Sequence, residues 1–582
     1  MLSVIITWMI LPAYSYVLGI FVLNLIYRNH LTVSTEDDKF AFGIDECIWT
    51  GTVLLTVYAQ GFSLFYRVGT SAFLIVTILF AVLLVFSLVK FKDTYRSHIS
   101  IIKNLSPLQW GLTIIIILSM ISWTNRIPEN YDTYLYHNQA IQWLERYGII
   151  KGLGNLHCRF AYNSAFLPLQ ALFSFRGLTG QSLHTVNGFY CAFSLIYCSL
   201  TNRLISRKRA KLADFLKLAS IGYTCFIIPL ASSPGTDTLA LTLFLYICIK
   251  WNEYDDTPHI VTDRYALLCM LAVFDVTLKL SVAPCVLLAL YPIINYVKQK
   301  KPKKIFSHVV IGFLIALPWL IRNVIISGYL IYPYAQIDLF DVDWKIPSSI
   351  AYIDSWKIQV RSKGYTDIAM RTKHVWDWFP GVWFVKYPGF FERFCMISGI
   401  ILFTLLFIYL MIRIIKRSFE PKVHLFYGMI LISFYIWFTS APTIRYGIVF
   451  SFALFAIWLH IISYKCNGHF QKISFILKGV LYTYTALMFV YASGNWMKLS
   501  EQPLVMQADY DHIETQMHQY PEYTVWYPVG GSDLCGCDVF PSLPYPKIID
   551  ISEMRGNDIS DGFRVRSDYT NRMIDMSGDI YD

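Results

Sequence analysis

The chain has 582 residues, of which 55% are hydrophobic, 17% aromatic and only 15% charged, with a formal net charge of +10. Soluble domains carry about 25% charged residues, so this composition excludes a soluble globule, together with the disordered, collagenous, coiled-coil and disulfide-rich secreted classes. It leaves an all-α polytopic membrane protein, in which lipid replaces the charged shell. The basic residues fall in short clusters between apolar runs, the pattern of the positive-inside rule, so the net charge gives no reason to expect a nucleic-acid partner.

Apolar runs of spanning length, or close to it, fall at 2–27, 47–66, 70–92, 107–124, 183–205, 212–231, 237–253, 265–279, 281–297, 306–327, 391–415, 423–440, 445–464 and 472–493. That predicts about fourteen transmembrane helices, each near the ~20 residues a bilayer core requires. The first run lacks a basic flank and a convincing cleavage site, so it reads as a span and not as a removable signal. Basic clusters at Lys90–Lys103, Arg203–Lys211, Lys298–Lys304, Arg413–Lys422 and Lys465–Lys472 mark the inner side. Counting 160–178 as a further span would put Arg207, Lys208, Arg209 and Lys211 outside, so that segment is expected to lie at the outer interface or dip partly in. The N-terminus, the loops 125–182 and 328–390 and the tail 494–582 then share the outer side.

At 100° per residue, Tyr136, Ala140, Trp143, Leu144 and Tyr147 share one face of 132–147, opposite Asn138, Gln142, Glu145 and Arg146. This predicts an amphipathic helix resting on the membrane surface. Residues 1–106 read as additional N-terminal helices, 107–493 as a transmembrane core, and 494–582 as a small outer-face α/β domain expected to pack on both outer loops. Most of the 12 cysteines lie in apolar runs as small hydrophobes, and Cys535 and Cys537 are read as a local disulfide or two free thiols.

Ionisable residues at membrane depth are costly and mark functional sites, and here they collect at the outer ends of the runs. Asp132, in Glu129-Asn130-Tyr131-Asp132, is either a helix cap or a general base. Asp237 closes the turn Ser232-Ser233-Pro234-Gly235-Thr236-Asp237, which ordinary turn chemistry also explains. Lys279 separates two short runs, where it either snorkels to the interface or awaits an anion. Arg322 follows Pro318-Trp319, and Arg445 follows Ala441-Pro442 at a helix start, where the helix dipole does not favour a cation and an anionic partner would. Arg159 adds a cation on the same side. The Trp- and Phe-rich loop 374–390, with Trp378, is an interfacial belt or a lid over a sugar or an isoprenoid tail.

This order of motifs resembles the GT-C superfamily of integral-membrane glycosyltransferases. The matching features are an acid in an early outer loop (Asp132), a second outer acid (Asp237), short spans around a lysine (Asp275–Pro284), P-W-x-x-R-N (Pro318–Asn323) and A-P-x-x-R-Y (Ala441–Tyr446). The combination of YDTYLYH, Gly148–Asn155 and Asp561-Gly562-Phe563-Arg564 looks like an uncharacterised bacterial branch of that fold. The resemblance covers roughly 107–465 and implies an inverting glycosyltransferase in the inner membrane, with its site and C-terminus on the periplasmic side. It implies a polyprenyl-phosphate-linked sugar donor and a glycan or lipid acceptor in envelope assembly. Asp132 would be the base, with Glu129 and Asp237 as further catalytic carboxylates, and Lys279, Arg322 and Arg445 would hold the phosphate. Arg159, His137, Tyr136 and Trp378 complete the substrate-binding set. No cofactor is indicated, and the single Asp132 leaves a divalent metal open. The alternatives are a polymerase or ligase using lipid pyrophosphate donors, and a lipid-linked sugar transporter.

Overall fold

The computed structural model describes residues 1–27, 42–204, 210–254, 261–387, 389–465, 479, 502–520, 523–544, 552–566, 573–574 and 580–581. The run expected at 472–493 apart from Gly479, Arg207-Lys208-Arg209, and Ile548–Ile551 lie outside the described residues.

Helices α1 (Leu2–Tyr27) and α2 (Ile44–Ser63) pack as an antiparallel pair in backbone contact. A Cβ on Gly19 would overlap the Cys47 carbonyl, and one on Gly51 would overlap the Ser15 carbonyl. Small residues permit this approach, and apolar solvent around the pair would not reward separating it. Gly51→Ala is therefore expected to cost about 1–3 kcal/mol by overpacking. Gly61→Ala in the same helix, where nothing lies within 4 Å, should leave the melting temperature in detergent unchanged or raised. Equal melting temperatures for the two variants would contradict the crossing.

α3 (Thr70–Lys90) turns Leu74, Ile75, Ile78, Val82 and Val85 outward. α4 (Lys92–Lys103) links it to α5 (Pro107–Thr124), which starts with a Ser106–Gln109 capping box and Pro107 at its first position. A π-turn at Thr133–His137 then runs into α6 (Asn138–Arg146), followed by α7 (Leu153–Leu156), α8 (Phe166–Leu172) and α9 (Arg176–Thr179). The core continues with α10 (Val186–Thr201), α11 (Leu212–Ile227), α12 (Thr236–Glu253) and α13 (Val261–Leu278). A 3-10 segment, Leu280–Ala289, leads into α14 (Leu290–Lys298) and α15 (Pro302–Ser327). After α16 (Ser348–Lys363), α17 (Val375–Trp378) and α18 (Phe384–Lys386) come α19 (Phe390–Ile415), α20 (Pro421–Ser440) and α21 (Ile444–Lys465).

The molecule is a mostly helical polytopic bundle. Among the described residues nine helices are long and apolar enough to cross a membrane, against the fourteen expected. Four other expected runs are helical but shorter or more polar: α2, α10, α12 and α13. α12 explains why polarity is tolerated there. It is buried from Thr238 to Trp251 among α10, α11, α13 and α21, so protein and not lipid surrounds its polar groups. Lys250, near its end, pairs with Asp45 of α2 at 2.9 Å and with Glu253 at 3.5 Å.

In the loop 125–182 one expectation is narrowed and another corrected. The segment 160–178 is not one helix: it breaks into a 3-10 turn, α8 and α9, with α8 wholly buried and α9 at the surface, so it dips partly in and does not lie flat along the interface. α6 does not rest on lipid either: its apolar residues Ala140, Ile141, Trp143 and Leu144 are buried in protein, where the helix packs on α8, and its polar face is covered by the tail. Gln139 Nε2 donates to the carbonyls of Gly536 (2.7 Å) and Val539 (2.9 Å), and Gln142 Nε2 donates to that of Cys537 (2.7 Å).

The tail is strand and loop, with no α-helix among its described residues, so the expected α/β character is corrected to paired strands. β1 (Thr515–Gln519) pairs antiparallel with β2 (Thr524–Pro528), β3 (Ser552–Met554) with β4 (Phe563–Val565), and β5 (Met573–Ile574) with β6 (Ile580–Tyr581). Phe563 N donates to the Lys151 carbonyl (2.9 Å), and Arg555 makes a two-pronged bond to Asp343 (2.8 and 3.0 Å). Gly148–Asn155 and Asp561–Arg564 are thus touching parts of one structural clamp. Cys535 and Cys537 are buried free thiols. The Met1 amine donates to Asn125 Oδ1 (2.8 Å) and the Pro503 carbonyl (2.9 Å), so the N-terminus, both long loops and the tail gather at one end of the bundle.

Candidate functional site

Three loops at that end are sewn together by short polar side chains. The amides of Glu129 and Asn130 both donate to Ser233 Oγ (3.1 and 3.0 Å), and Asn187 Nδ2 donates to the carbonyls of Ser233 and Gly235. A Cβ at Gly235 would come within 2.7 Å of Asn130 Nδ2, so the glycine lets the two loops touch. Asn130 Oδ1 in turn accepts from the Asp132 amide (3.1 Å) and from Arg445 Nη1 (3.0 Å). Asp237 lies in the first turn of α12, where the helix dipole favours an anion. Lys279 occupies the extended residue between α13 and the 3-10 segment.

These placements bring four charges into an alternating row. Arg445 Nη2 donates to Asp132 Oδ2, Arg445 Nε lies 3.9 Å from Asp237 Oδ2, and Lys279 Nζ donates to Asp237 Oδ1. The Tyr446 ring backs both cations, with the Lys279 ammonium 4.3 Å and the Arg445 guanidinium 5.0 Å from its centroid. Carboxylates thus explain the arginine at a helix start.

The row edges a cavity of about 340 Å³ lined by Asp132, Asp237, Lys279, Arg159, Tyr136 and Tyr446, with Tyr162, Trp319, Tyr332 and Trp437 as further aromatic walls. Its apolar side is built by Leu278, Leu280 and Ile436, on helices whose outward residues Leu287, Ile432 and Tyr435 are exposed. Arg159 Nε lies 3.2 Å from Asp354 Oδ1, too misaligned for a good hydrogen bond but a close ion pair, and Tyr162 donates to Asp354 Oδ2. Asp354 is a buried carboxylate of α16 that no sequence motif marks.

Five expected site residues are not among those lining the cavity, and Arg445 is one of them: it meets the wall only through Asp132, Asp237 and Tyr446, which do line it. Arg322 is buried behind Asn163, donating to Asn163 Oδ1 (2.9 Å) and Ser63 Oγ, so it does not face the cavity where the phosphate was expected. Helical geometry is the reason: Trp319 and Asn323 take the cavity-facing side of α15. Glu129 is solvent-facing and 3.6 Å from Arg126. Trp378 packs at a tilt on Phe438 in the core, while Trp383 of the same aromatic loop ties it to the Pro442 carbonyl (3.0 Å).

His137 is buried behind Tyr136, and neither ring nitrogen has a hydrogen-bond partner among the described residues. Burial pushes its pKa down to about 4, against an opposing pull from Asp132 and Asp237. His184, also buried, is likewise lowered to about 4. Both folded values lie below the unfolded value near 6.5, so between pH 4 and 6.5 the unfolded chain binds more protons. The stability from each neutral ring is present above about 6.5 and lost on acidification, by about 2 kcal/mol between pH 7 and pH 5. The melting temperature should fall over that interval, and by less in His137→Leu. Equal slopes for the two proteins would exclude His137 as a contributor.

The donor set does not fit a resident divalent cation. Among the described residues no three His, Cys, Asp or Glu side chains converge, and Asp132 and Asp237 face guanidinium and ammonium groups. A family model described as a domain of unknown function (DUF8201) matches residues 1–452, a stretch that holds every cavity residue and ends before the tail. No curated protein matches the chain, and no solved structure does.

Proposed function

The chain belongs to the DUF8201 family, and we propose that it is a membrane glycosyltransferase. It moves a sugar from a polyprenyl-phosphate-linked donor to an envelope glycan or lipid acceptor at the outer face of a bacterial inner membrane. The observation that supports this reading is the alternating row Asp132–Arg445–Asp237–Lys279, of which Asp132, Asp237 and Lys279 line a cavity that also carries the apolar residues Leu278, Leu280 and Ile436, on segments with exposed apolar residues. A base, two cations and an apolar exit are what transfer from a phosphate-linked lipid requires.

In this reading the donor phosphate takes over Arg445 and Lys279, which frees Asp132 from its guanidinium partner. The acceptor hydroxyl oxygen bonds to the anomeric carbon while the carboxylate of Asp132 takes its proton. The bond from that carbon to the phosphate oxygen breaks, and the electron pair leaves with the polyprenyl phosphate, whose charge the two cations hold. One displacement inverts the anomeric carbon. The aromatic walls offer ring faces to the sugar, and Arg159, held by Asp354, adds a further cation to the cavity lining.

The test is product analysis with the purified full-length chain, an acceptor and either a monophosphate- or a pyrophosphate-linked donor. Release of polyprenyl phosphate with an inverted glycosidic product supports the proposal. Release of polyprenyl pyrophosphate instead moves the enzyme to the polymerase or ligase class. Lipid-linked sugar crossing vesicles with no glycosidic product overturns enzymatic function in favour of a transporter.

A further inference from the structure

A second, larger cavity of about 640 Å³ opens at the same end of the bundle and shares no lining residue with the Asp132 cavity. Its wall carries three guanidinium groups, Arg67, Arg146 and Arg176, from three separate segments. The loop before α3 supplies Arg67 and is held against α6 by the Val68 amide, which donates to the Leu144 carbonyl (2.8 Å). α6 supplies Arg146, and α9, which packs on α3, supplies Arg176. The start of α3 (Gly69, Thr70 and Ser71) lines the same wall.

The local charge is unbalanced. Glu145 is the one carboxylate among the lining residues, and it is occupied: Ser182 Oγ donates to both of its oxygens (2.7 and 2.8 Å), and Arg176 Nη1 lies 3.9 Å away. Burial also raises the Glu145 carboxyl above its usual range. Arg67 and Arg146 form no ion pair among the described residues; Arg146 spans the ring of Phe540 (4.5 Å) and reaches Gln142 Oε1 (3.2 Å). Three arginines facing one space, two of them without a carboxylate, are a site for a phosphate oxyanion.

The rim says how that anion arrives. Phe65, Tyr66 and Leu178 are exposed beside the cavity, and below them α3 presents Leu74, Ile75 and Ile78 outward. An aromatic and aliphatic border continuous with an outward-facing apolar helix is the setting of a lipid headgroup whose chains lie along the helix. A free sugar phosphate would have no use for it. We propose that this cavity binds the phosphate headgroup of an anionic membrane lipid, with Arg67, Arg146 and Arg176 on its oxygens and its chains against α3. This does not depend on the function assigned to the Asp132 cavity.

The experiment compares the full-length chain and the R67Q/R146Q variant in detergent by native mass spectrometry. The probes are dioleoyl phosphatidylglycerol, dioleoyl phosphatidylcholine and inorganic phosphate. The wild type should retain phosphatidylglycerol about tenfold or more tightly than phosphatidylcholine, and the double variant should lose that preference while R67K/R146K keeps part of it. An unchanged preference in R67Q/R146Q overturns the site. Inorganic phosphate displacing nothing at millimolar concentration, with phosphatidylglycerol still selected, supports the lipid source. Saturable phosphate binding without lipid selection overturns it in favour of a free anion. If the double variant does not fold, equal retention of both lipids by the wild type overturns the proposal, and selective retention that salt abolishes supports it.

Discussion

Replacing Asp132 by Asn should lower sugar transfer by about 10²–10⁴-fold, the usual worth of a positioned general base, with the loss in kcat and little change in KM. The side chain keeps its shape, and the Asn130 bridge to Arg445 remains to hold the loop, so folding should survive the change. The loss should not be shared by Glu129→Gln, because Glu129 lies off the cavity and its carboxylate is taken by Arg126. Near-normal transfer by Asp132→Asn would remove Asp132 from the role of base. A loss in Glu129→Gln as large as that in Asp132→Asn would move the base to Glu129.

Asp354→Ala should be among the most damaging single substitutions for stability, costing about 3–5 kcal/mol. Its carboxylate is fully buried and is the ion-pair partner of Arg159, whose side chain is only 13% exposed, while Tyr162 loses its acceptor in the same step. Removing one partner strands the other charge against the cavity wall. Replacing both, as in Arg159→Met with Asp354→Leu, should recover much of the loss, since a well-packed apolar pair avoids the desolvation cost. Thermal unfolding in detergent distinguishes the cases. A double variant no more stable than Asp354→Ala would mean that the damage is to packing and not to charge.

What the sequence makes legible follows from range. A charge at the end of an apolar run is conspicuous because its neighbours are not charged. Asp132, Asp237, Lys279 and Arg445 can be picked out one by one on that ground, and the structure brings all four to one row. Asp354 escapes because α16 has an ordinary polar composition, and only the fold turns one of its acids inward. Arg322 misleads because a motif names residues without saying which face of α15 meets the cavity. α6 misleads for a longer-range reason. Its period describes an amphipathic surface helix, but the ligands of its polar face, the carbonyls of Gly536, Cys537 and Val539, come from about 400 residues further along. The apolar part of 160–178, α8, is buried in protein, and hydropathy does not distinguish that from burial in lipid.

The proposed function requires the Asp132–Arg445–Asp237–Lys279 row to hold a lipid phosphate during sugar transfer. The most direct measurement is an electron cryo-microscopy structure of the full chain in nanodiscs with added polyprenyl phosphate. The account predicts the phosphate within about 3 Å of Lys279 Nζ and the Arg445 guanidinium, Asp132 released from Arg445, and the tail leaving past Leu280 and Ile436. A polyprenyl phosphate bound elsewhere, with the four-charge row intact, would contradict it.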